Sequence, residues 1–297
     1  MIQNTEQARV GGIPRLAMMN SFAGFGRCST AISLPVISAM QVQVCPVPTA
    51  ILSNHLGFPY CHFEDYTSQM PDYLQVWEQL GLCFDGLYCG FLGSVNQIAI
   101  IKNFLKSPMM AACHDHPVFL LDPVMGDHGR AYSTITQKHC QQLKELAAYA
   151  DILTPNITEA CLLTDTPYKE QPFTNKELAA ICDKLAALNP TASHKRIVIT
   201  GLTEKDELVN FIWETGQTTS YRVKQTGSPY HGTGDLFASI IIADALHEVP
   251  FERSVKKAAD FVALCIQSSQ EAGLPPGEGI LFEKQLGFLQ MLLQCSQ

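Results

Sequence analysis

Apolar runs of strand length alternate with amphipathic stretches of helix length along almost the whole chain, a rhythm that predicts an α/β fold. Residues 16–21 read as a first strand, 30–40 as a helix despite Pro35, and 42–50 as a second strand. A helix over 73–80 leads to a strand over 84–91, and a helix over 95–105 leads to a buried strand over 118–124. The pattern continues through helix 136–150, strand 151–154, helices 158–163 and 175–188, and strand 196–200. Strands spaced by helical segments of about ten or more residues need right-handed crossovers, hence a mainly parallel sheet covered on both faces. Residues 208–214 and 219–224 read as an antiparallel pair about Thr215-Gly216-Gln217, and helices over 235–246, 251–271 and 282–293 close the chain. No linker, charge block or repeat interrupts the series. A single domain over 1–297 is expected, with residues 1–14 as an N-terminal tail.

Composition narrows the function. Hydrophobic residues make up 46% of the 297 and charged residues 16%, which suits a packed globular core. Twenty Lys and Arg against 28 Asp and Glu give a net charge of −8, so a chain-wide basic field for nucleic acid is absent. No apolar stretch reaches the roughly 18 residues of a membrane span, and the polar N-terminus lacks a signal-peptide layout, so a cytoplasmic protein is expected. The eleven cysteines are odd in number and form no Cys-x-x-Cys. Cys45, Cys89, Cys161, Cys182 and Cys265 sit in apolar runs, as buried reduced thiols do, and no disulfide framework is expected.

Ligands of a parallel α/β sheet bind beyond the carboxyl ends of its strands. Four such junctions stand out: Asn20-Ser21-Phe22-Ala23-Gly24-Phe25-Gly26, Asp122-Pro123-Val124-Met125-Gly126-Asp127, Thr154-Pro155-Asn156-Ile157-Thr158-Glu159, and the segment 227–235. In the last, Gly232-Thr233-Gly234-Asp235 opens a strongly apolar helix, leaving backbone amides free to bind phosphate with help from the helix dipole. Asp235 then stands beside the anion, as a base for phosphoryl transfer would; a plain Gly-rich turn with a favourable first-turn Asp is the alternative. Asp122 and Glu159 suit a hydrated Mg²⁺, or else a strand-ending turn and a capping box. Ser21 and Thr49 end the first two strands, where turn capping competes with ligand contact.

Other signals fail. There is no Walker-type phosphate loop, and Gly24-x-Gly26 is followed by Ser29 where a dinucleotide fingerprint needs glycine. His114-x-His116 stands before Pro117 without a nearby cysteine, and Gly86-x-Tyr88-x-Gly90 puts tyrosine where a hydrolase needs serine.

Ser53-Asn54-His55, Gly90-Phe91-Leu92-Gly93-Ser94, Asp122-Pro123-Val124-Met125-Gly126, Thr154-Pro155-Asn156 with Glu159, and Gly232-Thr233-Gly234-Asp235 together resemble the ribokinase-like superfamily, in particular its pyridoxal (vitamin B6) kinase branch. The resemblance runs from about residue 16 to 270. It implies a three-layer α/β/α sandwich, ATP and Mg²⁺ as cosubstrate and metal, K⁺ as a further cation, a homodimer, and phosphorylation of the 5′-hydroxymethyl group of a B6 vitamer. By the same resemblance Asp235 is the base and Gly232, Thr233 and Gly234 form the anion hole. Asp122 and Glu159 arrange Mg²⁺, Asn156 and Thr200 lie near the nucleotide phosphates, Tyr132 covers the site, and Ser21, Thr49 and His55 line the pyridine pocket. The His231-Gly232-Thr233-Gly234 lead-in also resembles hydroxymethylpyrimidine kinases, which usually carry cysteine in place of Asp235. A non-catalytic B6 carrier using the same pocket is the third reading.

Overall fold

The computed structural model describes residues 12–111, 116–132, 135–170, 172–189, 195–225, 227 and 230–294. The tail 1–11, His114, Ser228 and Pro229 lie outside the described residues.

Nine strands form one sheet: β1 (Arg15–Ala23), β2 (Gln43–Leu52), β3 (Phe63–Asp65), β4 (Gly86–Cys89), β5 (Val118–Leu121), β8 (Ile152–Leu153), β9 (Arg196–Glu204), β10 (Glu207–Glu214) and β11 (Gln217–Lys224). Their order across the sheet is β11-β10-β9-β8-β5-β4-β1-β2-β3. The six strands β1, β2, β4, β5, β8 and β9 pair parallel, and the antiparallel partners sit only at the two margins. A separate hairpin, β6 (Gly126–Asp127) with β7 (Arg130–Ala131), projects beyond β5. Neither this hairpin nor β3 is predicted by periodicity, because two or three residues are too short to alternate.

Alternation along the central strands divides the core into two layers. Ala17, Met19, Leu87, Cys89, Phe119, Leu121 and Leu153 face one side, where α2 (Met70–Gln79), α3 (Gln97–Leu105), α4 (Pro108–Ala111), α5 (Gln137–Ala147), α6 (Ile157–Leu163) and α7 (Asn175–Ala186) lie. Leu16, Met18, Tyr88, Leu120 and Ile152 face the other, against α1 (Thr30–Ala39), α8 (Thr233–Leu246), α9 (Phe251–Glu271) and α10 (Leu286–Gln294). The expected three-layer sandwich is therefore present, with every predicted helix within a few residues of its place.

Two prolines in β2 fit because of register. The Gln43 N–H points toward β1, donating to Pro14 O, so positions 46 and 48 turn their missing donors away from that partner. The strand predicted over 118–124 stops at Leu121, since Asp122-Pro123 ends the ladder.

The cysteine expectation needs two corrections. Cys45 is half-buried rather than enclosed. Cys83 is disulfide-bonded, whereas Cys28, Cys45, Cys61, Cys89, Cys140, Cys161, Cys182 and Cys265 are free.

Candidate active site

The carboxyl ends of β1, β2, β4, β5, β8 and β9 lie along one edge of the sheet, and the first turn of α8 meets the chain there through Asp235. Gly232 is the N-cap of α8 at φ +85°, and a Cβ there would stand 2.3 Å from Arg27 O and from Ile32 Cδ1. Only glycine fits, and it brings no side-chain acceptor to the first-turn amides. Those of Thr233 and Gly234 therefore receive no side-chain cap at an end of the helix where the dipole favours an anion.

Asp235 follows in the first turn. Its Oδ2 accepts the Ser29 backbone N–H at 2.8 Å, and its Oδ1 accepts the Asn20 side-chain amide at 3.4 Å. Burial raises the pKa of this carboxyl above the ordinary value, and both hydrogen bonds pull it back down. Ser29 holds a left-handed conformation at φ 50°, and the Ser21 hydroxyl donates to its Oγ at 2.9 Å.

Asp122 leaves β5 on the facing side, with Oδ1 accepting the Thr154 hydroxyl at 3.2 Å. Its Oδ2 faces Gly234, 3.9 Å from where a Cβ would stand. Burial first, then the charge of Asp235, pushes its pKa up to about 7. Glu159 is pushed well above the carboxylate range by burial and then by Asp122. Its two oxygens accept Met125 N at 3.1 Å and Asn156 N at 2.8 Å. The capping box considered from the sequence is thus real, and it holds a carboxylate against the Asp122 loop.

The remaining predicted residues gather at the same edge with different tasks. The Thr49 hydroxyl is enclosed and donates to Phe91 O at 2.7 Å. Gly57 N–H donates to His55 Nδ1 at 3.1 Å, so His55 Nε2 carries the proton and donates to Gly277 O at 2.7 Å. The His55 ring packs against Phe58 and His231, with centroids 4.5 and 4.3 Å away. Asn156 donates to Gly126 O at 2.8 Å, tying α6 to the β6–β7 hairpin, and Thr200 lies beside it on β9. Tyr132 follows that hairpin and is 46% exposed; burial, Glu159, Asp127 and the other carboxylates push its phenol up to about 12. His116 is away from the cleft, paired with Asp151 at 2.7 Å.

Sequence reasoning missed Asn20, Ser29 and Tyr88. Asn20 and Ser21 are adjacent on a strand, which by simple alternation sends them to opposite faces. A register shift between Asn20 and Phe22 against β2 breaks that alternation, and both are buried. Tyr88 lies fully enclosed under Asp235 and Asp122, whose charges add to burial in raising its phenol.

Buried carboxylates around a glycine-opened helix N-terminus, at the end of a parallel sheet, have the chemistry that phosphoryl transfer requires. The class is an ATP-dependent phosphotransferase of ribokinase-like fold. The model of the phosphomethylpyrimidine kinase family matches residues 75–280, and the chain belongs to that family. A putative phosphomethylpyrimidine kinase from Bacteroides thetaiotaomicron, solved with pyridoxal, is 31% identical with a TM-score of 0.87, covering 94% of this chain and 96% of that one. A putative pyridoxal kinase from Schizosaccharomyces pombe is 27% identical over 252 residues, covering 80% of this chain and 69% of the relative. A hydroxymethylpyrimidine/phosphomethylpyrimidine kinase from Aquifex aeolicus is 23% identical over 270 residues, covering 89% and 92%.

Proposed function

We propose that the protein transfers the γ-phosphoryl group of ATP to the 5′-hydroxymethyl group of pyridoxal, pyridoxine or pyridoxamine. The observation that carries the reading is the Asp235 carboxylate, oriented by two N–H donors in the first turn of the helix whose amides form the anion hole. An aspartate cannot ionise an alcohol outright, so Asp235 orients the hydroxyl and takes its proton as the new oxygen–phosphorus bond forms and the bond to ADP breaks. The amides of Thr233 and Gly234 stabilise charge on the transferring group. Tyr132 and the β6–β7 hairpin cover the cleft and exclude water.

The donor set fits Mg²⁺. Among the described residues no Lys or Arg side chain pairs with Asp122, Glu159 or Asp235, and the crowded carboxylates raise one another's pKa. A divalent cation relieves that repulsion. Among the described residues no three ligating side chains are grouped to hold a metal alone, so water and phosphate oxygens would have to complete the ion's coordination. Asp122 and Glu159 would hold it, and it would neutralise the charge of the nucleotide phosphates.

The second reading is a hydroxymethylpyrimidine kinase, favoured by the His231-Gly232-Thr233-Gly234 lead-in and by the Aquifex relative. Asp235, where such kinases usually carry cysteine, favours the B6 reading. Product formation from Mg²⁺-ATP with each B6 vitamer, hydroxymethylpyrimidine and ribose separates them. The expected result is 5′-phosphate from B6 vitamers, lost in Asp235→Asn while nucleotide binding persists. Product from hydroxymethylpyrimidine alone, or normal turnover by Asp235→Asn, overturns the assignment. A cytoplasmic homodimer completes the proposal, and a monomer in sedimentation velocity would refute that part.

A further inference from the structure

Of the two donors that meet Asp235, Asn20 is the one supplied by a side chain. It stands in β1 directly before Ser21 and is 1% exposed. Its Oδ1 accepts two backbone N–H groups, from Ser21 at 2.9 Å and from Phe91 at 3.0 Å. Two donors on one atom settle which end of the amide is oxygen. Nδ2 must therefore face the opposite way, and there it donates to Asp235 Oδ1. The backbone around the amide leaves no slack, since a Cβ on Gly90 would lie 2.6 Å from Nδ2.

The surroundings of Asp235 explain why such a tether matters. Asp235 stands in the first turn of α8, where no preceding turn restrains the side chain. The groups that act on it from neighbouring elements are Asp122, Tyr88, Cys28 and Tyr132, and none is a cation. The like charge of Asp122 faces the carboxylate from the β5 side, while Asn20 and the Ser29 N–H hold its two oxygens toward β1 and α1. A base misdirected by about 1 Å loses much of the advantage of proximity.

We infer that Asn20 is a positioning residue for Asp235: anchored on the ends of β1 and β4, its amide fixes the direction in which the carboxylate meets the substrate hydroxyl. The inference rests on Asp235 being the base. Asn20 touches neither substrate nor nucleotide in this account, so its effect falls on turnover and not on binding.

Asn20→Asp is the discriminating variant. It keeps the shape and the acceptor for the Ser21 and Phe91 amides, and it replaces the donor facing Asp235 with an oxygen. The kcat is expected to fall about 30-fold while KM for ATP and for pyridoxal stays within about twofold. In the Asp235→Asn background the amide introduced at 235 can donate to the carboxylate introduced at 20. There the same change costs no further residual turnover, and the melting temperature lost in the single variant returns. Asn20→Ala, which removes the donor without adding charge, is expected to lower kcat about tenfold by the same pattern. A wild-type kcat in both variants, a rise in KM alone, or equal losses in both backgrounds overturns the inference. Normal turnover by Asp235→Asn alone instead overturns the base assignment on which it rests.

Discussion

Arg27 O lies so close to Gly232 that alanine there would have to push the loop before α1 away from α8. Its φ of +85° adds backbone strain of about 1–3 kcal/mol for any L side chain. Gly232→Ala is therefore expected to lower stability by at least that amount and to cut turnover more than about a hundredfold, because the first-turn amides shift with the cap. Thermal melts and steady-state rates check both. Residues of this kind were legible in the sequence, since two glycines and an acid at a helix start have few other uses. What each hydroxyl or ring bonds was not: Thr49 spends its proton on Phe91 O, and His55 spends both ring nitrogens on backbone. Phe91 and Gly277 come from chain segments that no local pattern connects to Thr49 or His55.

α6 shows how an element carries two tasks. Asn156 caps it through Oδ1, receiving the Glu159 N–H at 3.0 Å, and holds the β6–β7 hairpin through Nδ2. The two tasks separate by substitution. Asn156→Ala is expected to cost about 1 kcal/mol from the lost cap and to loosen the hairpin. Asn156→Asp keeps a good cap acceptor but loses the donor to Gly126 O, so urea unfolding stays near wild type while hydrogen exchange over 126–131 rises. An unchanged exchange rate in both variants would refute the tether. Helices and central strands were legible because each has enough residues to show a period. The hairpin was not, for its two-residue strands carry no alternation and Gly126 is pressed to within 2.3 Å of Arg130 O at its would-be Cβ.

Over the whole molecule, buried thiols set the alkaline limit. Burial pushes Cys161 up to about 11 and Cys28 and Cys265 to about 12, and raises Cys89 and Cys182 as well. The folded state keeps protons that the unfolded chain releases near the ordinary value of 9.0, so this stability is complete below that pH and lost as pH climbs through 11 and 12. Lys195 works the other way: burial lowers it to about 8, so it charges less readily folded than unfolded and stability rises from there toward 10.5. Five thiols outweigh one lysine, and urea midpoints are expected to fall between about pH 9 and pH 10.5. Lys195→Met should steepen that fall, which identical pH profiles would contradict. Neither the buried lysine nor the bonded Cys83 was legible, because burial of a charge and pairing of one thiol depend on what the finished layers enclose. Among the described residues no helix is long and apolar enough to cross a membrane.

The Arg27 peptide has a consequence for how the enzyme is made. Its carbonyl sits under both Gly232 and Gly279, its N–H donates to Glu278 O at 3.1 Å, and the neighbouring Ser29 N–H meets Asp235 206 positions later. A chain still growing on the ribosome can pair β1, β2, β4 and β5 early, yet it lacks the late segment that closes around Arg27. The surroundings of Asp235 are thus closed only once residues 278 and 279 have emerged, and a nascent chain stalled before them is expected to show no turnover of ATP.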